Sequence, residues 1–330
     1  MVLETIRIEE FVDRSAIYWT GRKPCDRRII ARAFVIKTVM GYSTTKQLRE
    51  ALECQQNLRI ICGYSSRRSV PSEATFSRAF AAFASANIGD KVHVALVEKF
   101  VGDQIVEHVS RDSTAISARE KAITTAKPEP KPKLAPGRPA KGETRPAAKP
   151  STLEKQLTQS AVEAIDTLPK SCNTGCKQDF KGNRNFWVGW KMHIDWGTGG
   201  LPLTAITTSA SLHDSQVAIP LARLTAARCK SKYDLMDAAY DAEVIRCFSK
   251  GLGHIPIIDC NPRRGEVVKM DESLLVIYNQ RSTAERGNAR LKDEFGFRTL
   301  RVRGIKKTHL HLMMGILVLF SDQLHKLMVC

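Results

Sequence analysis

The stretch 278-YNQRSTAERGNARLK-292 is the one on which the fold turns. Wound as a helix at about 100° per residue, it brings Tyr278, Arg281, Glu285 and Lys292 within an arc of roughly 60°. About a quarter turn away, Ile277, Ala284 and Leu291 recur at heptad spacing. One side of the helix can therefore be buried while its neighbour presents a phenol, a guanidinium, a carboxylate and an ammonium in a row. Mixed charges on a helix often mark nothing more than a solvated face. Here a lone carboxylate stands among cations on an anchored helix, an arrangement suited to holding a metal beside a phosphate.

The composition points the same way. The chain has 330 residues, a net charge of +17 and a pI near 9.6, which predicts a polyanionic partner. Nucleic acid fits better than membrane: no uninterrupted apolar run reaches the ~18–20 residues that span a bilayer. The longest, Leu312 to Phe320, reads as a core helix. The acidic N-terminus, MVLETIRIEEFVDR, lacks the layout of a signal peptide. Nine cysteines without a CxxC pair suit a reducing cytosol. Cys172 and Cys176 lack a companion His/Cys pair and read as loop cysteines rather than a zinc site.

Residues 1–100 read as helical. Arg27 to Met40 is densely apolar, and Thr44 is suited to cap a second helix to Glu53. After a polar turn at 63–68, Ser72 opens a third helix with Phe76, Phe80 and Phe83 on one face. A helix-turn-helix with Arg78 pointing outward and a plain packing bundle are equally open. Between Ala126 and Pro150 lie seven of the fourteen prolines, interleaved with Lys and Arg. This predicts a basic, mostly disordered insertion over 119–170, which cannot bury enough apolar surface to order itself. Within it, Gly137-Arg138-Pro139 has the form of a minor-groove hook, with a generic polycationic tether as the alternative.

Strands are predicted over Gln104–Ile116, Trp187–Gly197, Leu201–Ala210, Tyr233–Met236 and Ile255–Ile258, the second and third as a hairpin. Asp241 is placed to cap the helix that follows the fourth strand, and an apolar helix closes the chain from about Thr308 to Met328. Strands that run first as a hairpin group and then alternate with helices define an α/β fold with a mixed sheet. Three acids stand at separate ends of these elements: Asp112, Asp237 and Glu285. If they converge, carboxylates ~4 Å apart repel by roughly 4 kcal/mol per pair at an effective dielectric of 20, so the cluster traps a proton or binds hard cations. Each also has a local reading: Asp112 as a turn cap, Asp237 as a strand end, Glu285 as the i+4 partner of Arg281. Trp187, Trp190 and Trp196 are either core residues or platforms for a displaced base.

Tyr278, Arg281, Glu285 and Lys292 together resemble the YREK signature of bacterial DDE transposases, the group related to insertion sequences four and five. Asp112-Ser113-Thr114 is similar to that family's first-acid motif, and Met236-Asp237-Ala238-Ala239-Tyr240-Asp241 to its second. Gly189 to His193, His213-Asp214-Ser215 and, more faintly, Pro71 to Ala79 also resemble it. The long insertion departs from it. The resemblance implies an RNase H-like catalytic domain over 101–118 and 171–330, preceded by an all-α domain over 1–100 that binds the DNA end. It implies Asp112, Asp237 and Glu285 as ligands of Mg²⁺, with Mn²⁺ as a substitute, in a two-metal-ion reaction. Tyr278, Arg281 and Lys292 would position the transposon end. Expected partners are the terminal inverted repeats, target DNA and a second copy of the chain. A repurposed DNA-binding protein and a standalone nuclease of the same fold are the alternatives.

Overall fold

The computed structural model describes residues 1–13, 25–123, 150–178, 181–261 and 269–329. The chain begins with α1 (Val2–Ile6), α2 (Arg27–Val39), α3 (Thr45–Cys54), α4 (Gln56–Cys62), α5 (Glu73–Ser85) and α6 (Ile88–Phe100). Asp26 caps α2 by accepting the Arg28 N–H, and Thr44 and Gln47 form a reciprocal capping box on α3. Ser72 occupies the cap position of α5, but its hydroxyl engages Thr75 Oγ1 instead of a backbone N–H. The predicted phenylalanine face is real: Phe76, Phe80 and Phe83 surround the ring of Phe34 on α2 at 5.7, 4.9 and 6.4 Å.

The sheet follows, with β1 (Ile105–Ser117), β2 (Asn173–Gln178), β3 (Arg184–Gly197), β4 (Pro202–Ser209), β5 (Lys230–Met236) and β6 (Ile255–Ile258). Its order is β2-β3-β1-β5-β6, with β4 also on β3; β1 runs antiparallel to β3 and parallel to β5, and β5 is parallel to β6. The expected β3–β4 hairpin forms, Trp196 facing Pro202. Helices cover both faces. On one lies α9 (Ala218–Ala226), with α10 (Glu243–Gly251) beside it. On the other lie α12 (Ser282–Asp293) and α13 (Ile305–Val329). The YREK stretch is continuous but not uniform: α11 (Glu272–Tyr278) passes through a tight 3₁₀ turn, Asn279–Arg281, into α12.

Three features differ from expectation. Part of the stretch read as disordered is helical: α7 (Thr152–Thr158) and α8 (Ala161–Thr167) start at capping boxes, Ser151 with Glu154 and Ser160 with Glu163. Leu168, which follows them, is buried against Ile206, Val217 and Leu221. Residues 124–149, including Arg138, lie outside the described residues. Second, the helical region and the sheet share one apolar core running from Leu3 to Leu324, because α13 packs on α1, α2, α5, α6 and β4. By length and composition α13 would reach across a bilayer, yet Leu312, Ile316, Leu317 and Phe320 are fully buried, so it is the helix around which both regions condense. Third, Asp241 does not cap α10. The cap residue is Ala242, and Asp241 accepts from the Arg246 guanidinium and the Asn261 N–H.

Candidate active site

The parallel register of β1 and β5 pairs Arg111 with Met236. Asp112 is the next residue of β1 and Asp237 the first beyond the end of β5, so the register brings the two acids to neighbouring places at this edge of the pairing. Pleating turns Arg111 to the opposite face. There its Nε and Nη2 donate to both oxygens of Asp195 on β3, each at 2.8 Å, and its Nη1 approaches Met236 Sδ at 3.4 Å. Thr225 of α9 adds a hydrogen bond to Asp195 at 2.7 Å. This buried pair fastens β1, β3 and β5 together behind the two aspartates.

On the front face, Asp112 Oδ2 accepts from Asn288 Nδ2 of α12 at 2.9 Å. Asp237 Oδ1 accepts the Ala239 N–H at 2.9 Å, turning the chain into a short 3₁₀ segment. Burial pushes the Asp112 carboxyl up to about 6. Asp237 adds to the shift, while the Lys177 and Arg281 charges pull it back. Asp237 is raised by the same cause, burial, against the Ala239 hydrogen bond and Arg281. Two neighbouring carboxyls that both resist ionisation favour a shared proton or a cation.

The position of α12 depends on one small residue. Gly287 lies so close to β3 that a Cβ there would come within 2.4 Å of the Trp196 ring, which is fully buried. Ala284 and Leu291 of the predicted apolar stripe are buried, and Ile277 is half-buried. The charged stripe therefore meets the aspartates. The Arg281 guanidinium senses Asp112, Glu285 and Asp237, its centre 6.0 Å from the Tyr278 ring. Lys292 is half-buried, and burial with the neighbouring Lys177 and Arg298 charges lowers its pKa, while Asp112 opposes them.

Glu285 stands apart. Its side chain is 62% exposed and ion-paired with Arg281 at 2.7 Å, the local partnership open from the sequence. Among the described residues, no three His, Cys, Asp or Glu side chains gather closely enough to hold a metal ion together. Asp112 and Asp237 are thus brought together, Arg281 and Lys292 beside them, and Glu285 is one turn of helix from Asn288 with its carboxylate turned away.

Asn288 and Lys177 were not singled out from the sequence. Asn288 falls about 20° from Arg281 on the helical wheel, so the stripe already contained it. Lys177 comes from β2, whose polar sequence NTGCKQ carries no strand signal. Trp190 and Trp196 are core residues, and Trp187 is half-buried with its Nε1 donating to Trp190 O. None of the three is a free stacking platform. Cys172 is buried and Cys176 exposed, both as free thiols.

A mixed sheet of this order with helices on both faces, an acid pair at adjacent parallel strands and a helical region before it is consistent with an RNase H-like DDE transposase fold. Residues 165–321 match the family model described as Transposase DDE domain, and residues 2–82 match Transposase domain (DUF772). The two matches support a DDE-type transposase of an insertion element. Asp237 and the YREK stretch lie inside the first match; β1 with Asp112 lies between the two. No curated protein matches the chain.

Proposed function

We propose that the chain is the transposase of an insertion sequence of the YREK group related to insertion sequences four and five. It cuts the element's ends and joins the freed 3′-hydroxyl to target DNA. The observation that carries this reading is the Asp112–Asp237 pair, brought together by the parallel register of β1 and β5, raised in pKa by burial and bordered by Arg281 and Lys292. The pair fits a divalent metal, because a cation removes the cost of ionising two buried carboxyls side by side. Asp112 and Asp237 would hold it, with Glu285 as the third carboxylate once it leaves Arg281. Bound Mg²⁺ or Mn²⁺ ions would supply the charge that activates a water or 3′-hydroxyl and stabilises the departing oxygen.

The chain's own residues do the rest. Arg281, freed from Glu285, and Lys292 take phosphates flanking the scissile bond, contacts that position DNA without reading its sequence. Tyr278 supports Arg281 through its ring. Asn288 fixes the Asp112 carboxylate so that one oxygen stays directed at the reacting phosphate. Terminal-repeat recognition belongs to the N-terminal helices, a second copy completes the synaptic complex, and Arg138 tethers DNA through the minor groove.

The test is cleavage and joining of the native element ends with Mg²⁺ or Mn²⁺. Asp112→Asn, Asp237→Asn and Glu285→Ala should each lose both reactions while retaining end binding. Full turnover in any one of them refutes its role. Hydrolysis by the unaltered protein without joining would identify a nuclease instead.

A further inference from the structure

An open groove of about 1080 Å³ runs between the helical region and the segment leading into α13. Six cations line it: Lys37 of α2, Lys46 of α3, Arg119 just past β1, Arg301 and Arg303 before α13, and Lys307 in its first turn. The lining contains one acid, Glu73. Among the described residues, Lys46 alone of the six has a carboxylate within ion-pair range, Glu50 at 3.8 Å. The Arg119 guanidinium donates only to the Arg301 carbonyl.

Unpaired like charges gathered in one concavity repel one another, and a bound polyanion relieves that repulsion. Lys37 adds a separate cost, that of burying a charge. Burial pushes its ammonium down to about 8, with no acid offsetting the loss. Its neighbour His311 has its ring on the Gly296 carbonyl and is pushed to about 4 by burial and the Lys37 charge. The first turn of α3, from Thr44 to Lys46, forms part of the wall and adds the positive end of a ten-residue helix. The cations come from both flanks of the groove, which suits a strand lying along it better than a flat surface resting on it.

The groove is also within reach of the acid pair. Asp112 and Arg119 are seven residues apart, at most ~24 Å even fully extended, which is about seven base pairs of duplex at 3.4 Å each. We propose that this groove is a second DNA-contact site, holding the phosphodiester backbone of the duplex whose end lies at Asp112 and Asp237. The proposal rests on the transposase reading and adds where the element's flank is gripped.

Duplex binding measured against salt decides it. The probes are a duplex carrying the element's end and a random-sequence duplex of equal length. Arg301→Ala/Arg303→Ala/Lys307→Ala removes three exposed cations and should flatten the slope of log K against log[salt] by about 2.7, about 0.9 per phosphate contact, on both duplexes. Lys230→Ala/Lys232→Ala/Lys250→Ala, removing three exposed lysines from β5 and α10, should leave the slope unchanged. Arg303→Gln and Lys307→Gln taken singly, each flattening it by about 0.9, provide the same reading if the triple variant unfolds. An unaltered slope in the groove variants, or an equal loss in the control, overturns the groove and leaves the transposase reading standing. Failure of the unaltered protein to bind any duplex overturns the transposase reading and the groove with it.

Discussion

Gly287→Ala tests how α12 is seated. In an ordinary helix this exchange stabilises by about 1 kcal/mol, since alanine is the better helix former. Here the new methyl would stand 2.4 Å from two carbons of the Trp196 ring. Carbon contacts settle near 3.5–4.0 Å, so α12 and β3 must separate by about 1.1 Å or more. Trp196 is fully buried and cannot swing aside. Overpacking of that size costs about 1–3 kcal/mol, so the net outcome is a loss of about 0–2 kcal/mol where propensity alone predicts a gain. The displacement also pulls Asn288 from Asp112, whose hydrogen bond is 2.9 Å. On the proposed function, a 1 Å error in positioning Asp112 costs about 10²-fold, so cleavage should fall far more than stability does. Urea unfolding and metal-dependent cleavage, measured on one preparation, give both numbers. A variant that is more stable by about 1 kcal/mol and fully active would refute the close seating of α12 on Trp196.

Two further outcomes follow from buried charge. Arg111→Met leaves Asp195 uncompensated in the core and should cost about 3–5 kcal/mol in urea unfolding, whereas Arg111→Met/Asp195→Leu should recover most of it; an undisturbed single variant would mean the pair does not hold the three strands. Lys37 is cationic below a pKa of about 8 and neutral above it, so duplex affinity should fall as pH rises from 7.5 to 9, and Lys37→Met should remove that dependence; an identical pH profile in the variant would show that this ammonium does not meet the DNA.

Much of this architecture was legible because its signals are local. The long apolar or alternating runs became β1, β3, β4, β5 and α13, and the capping threonine of α3 acts as its sequence indicates. The heptad stripe Ile277, Ala284 and Leu291 correctly gave the buried side of the YREK helix. The apposition of Asp112 and Asp237 was only an expectation, because it is set by the pairing of Arg111 with Met236 across 125 residues of chain. Local cues were also missed. The Ser-x-x-Glu boxes at 151–154 and 160–163 announce α7 and α8, but the proline- and lysine-rich composition around them dominated the reading. Asp241 has the chemistry of a cap, yet Arg246 and the Asn261 N–H, brought near by the β5–β6 pairing, claim its carboxylate. That residues 1–100 and the sheet share a core was not legible for a similar reason: no property of α13 taken alone says that both regions will pack on it.

β1 is the central strand, yet its neighbours β3 and β5 both follow the proline-rich stretch in the chain. A gene divided there would encode one polypeptide, 1–123, bearing Asp112, and another, 150–330, bearing Asp237 and Glu285. Neither product alone would carry both aspartates. On the proposed function the pair would behave as a two-key lock, with mobilisation of the element requiring both to be made in one cell, and a two-plasmid complementation assay would read it directly.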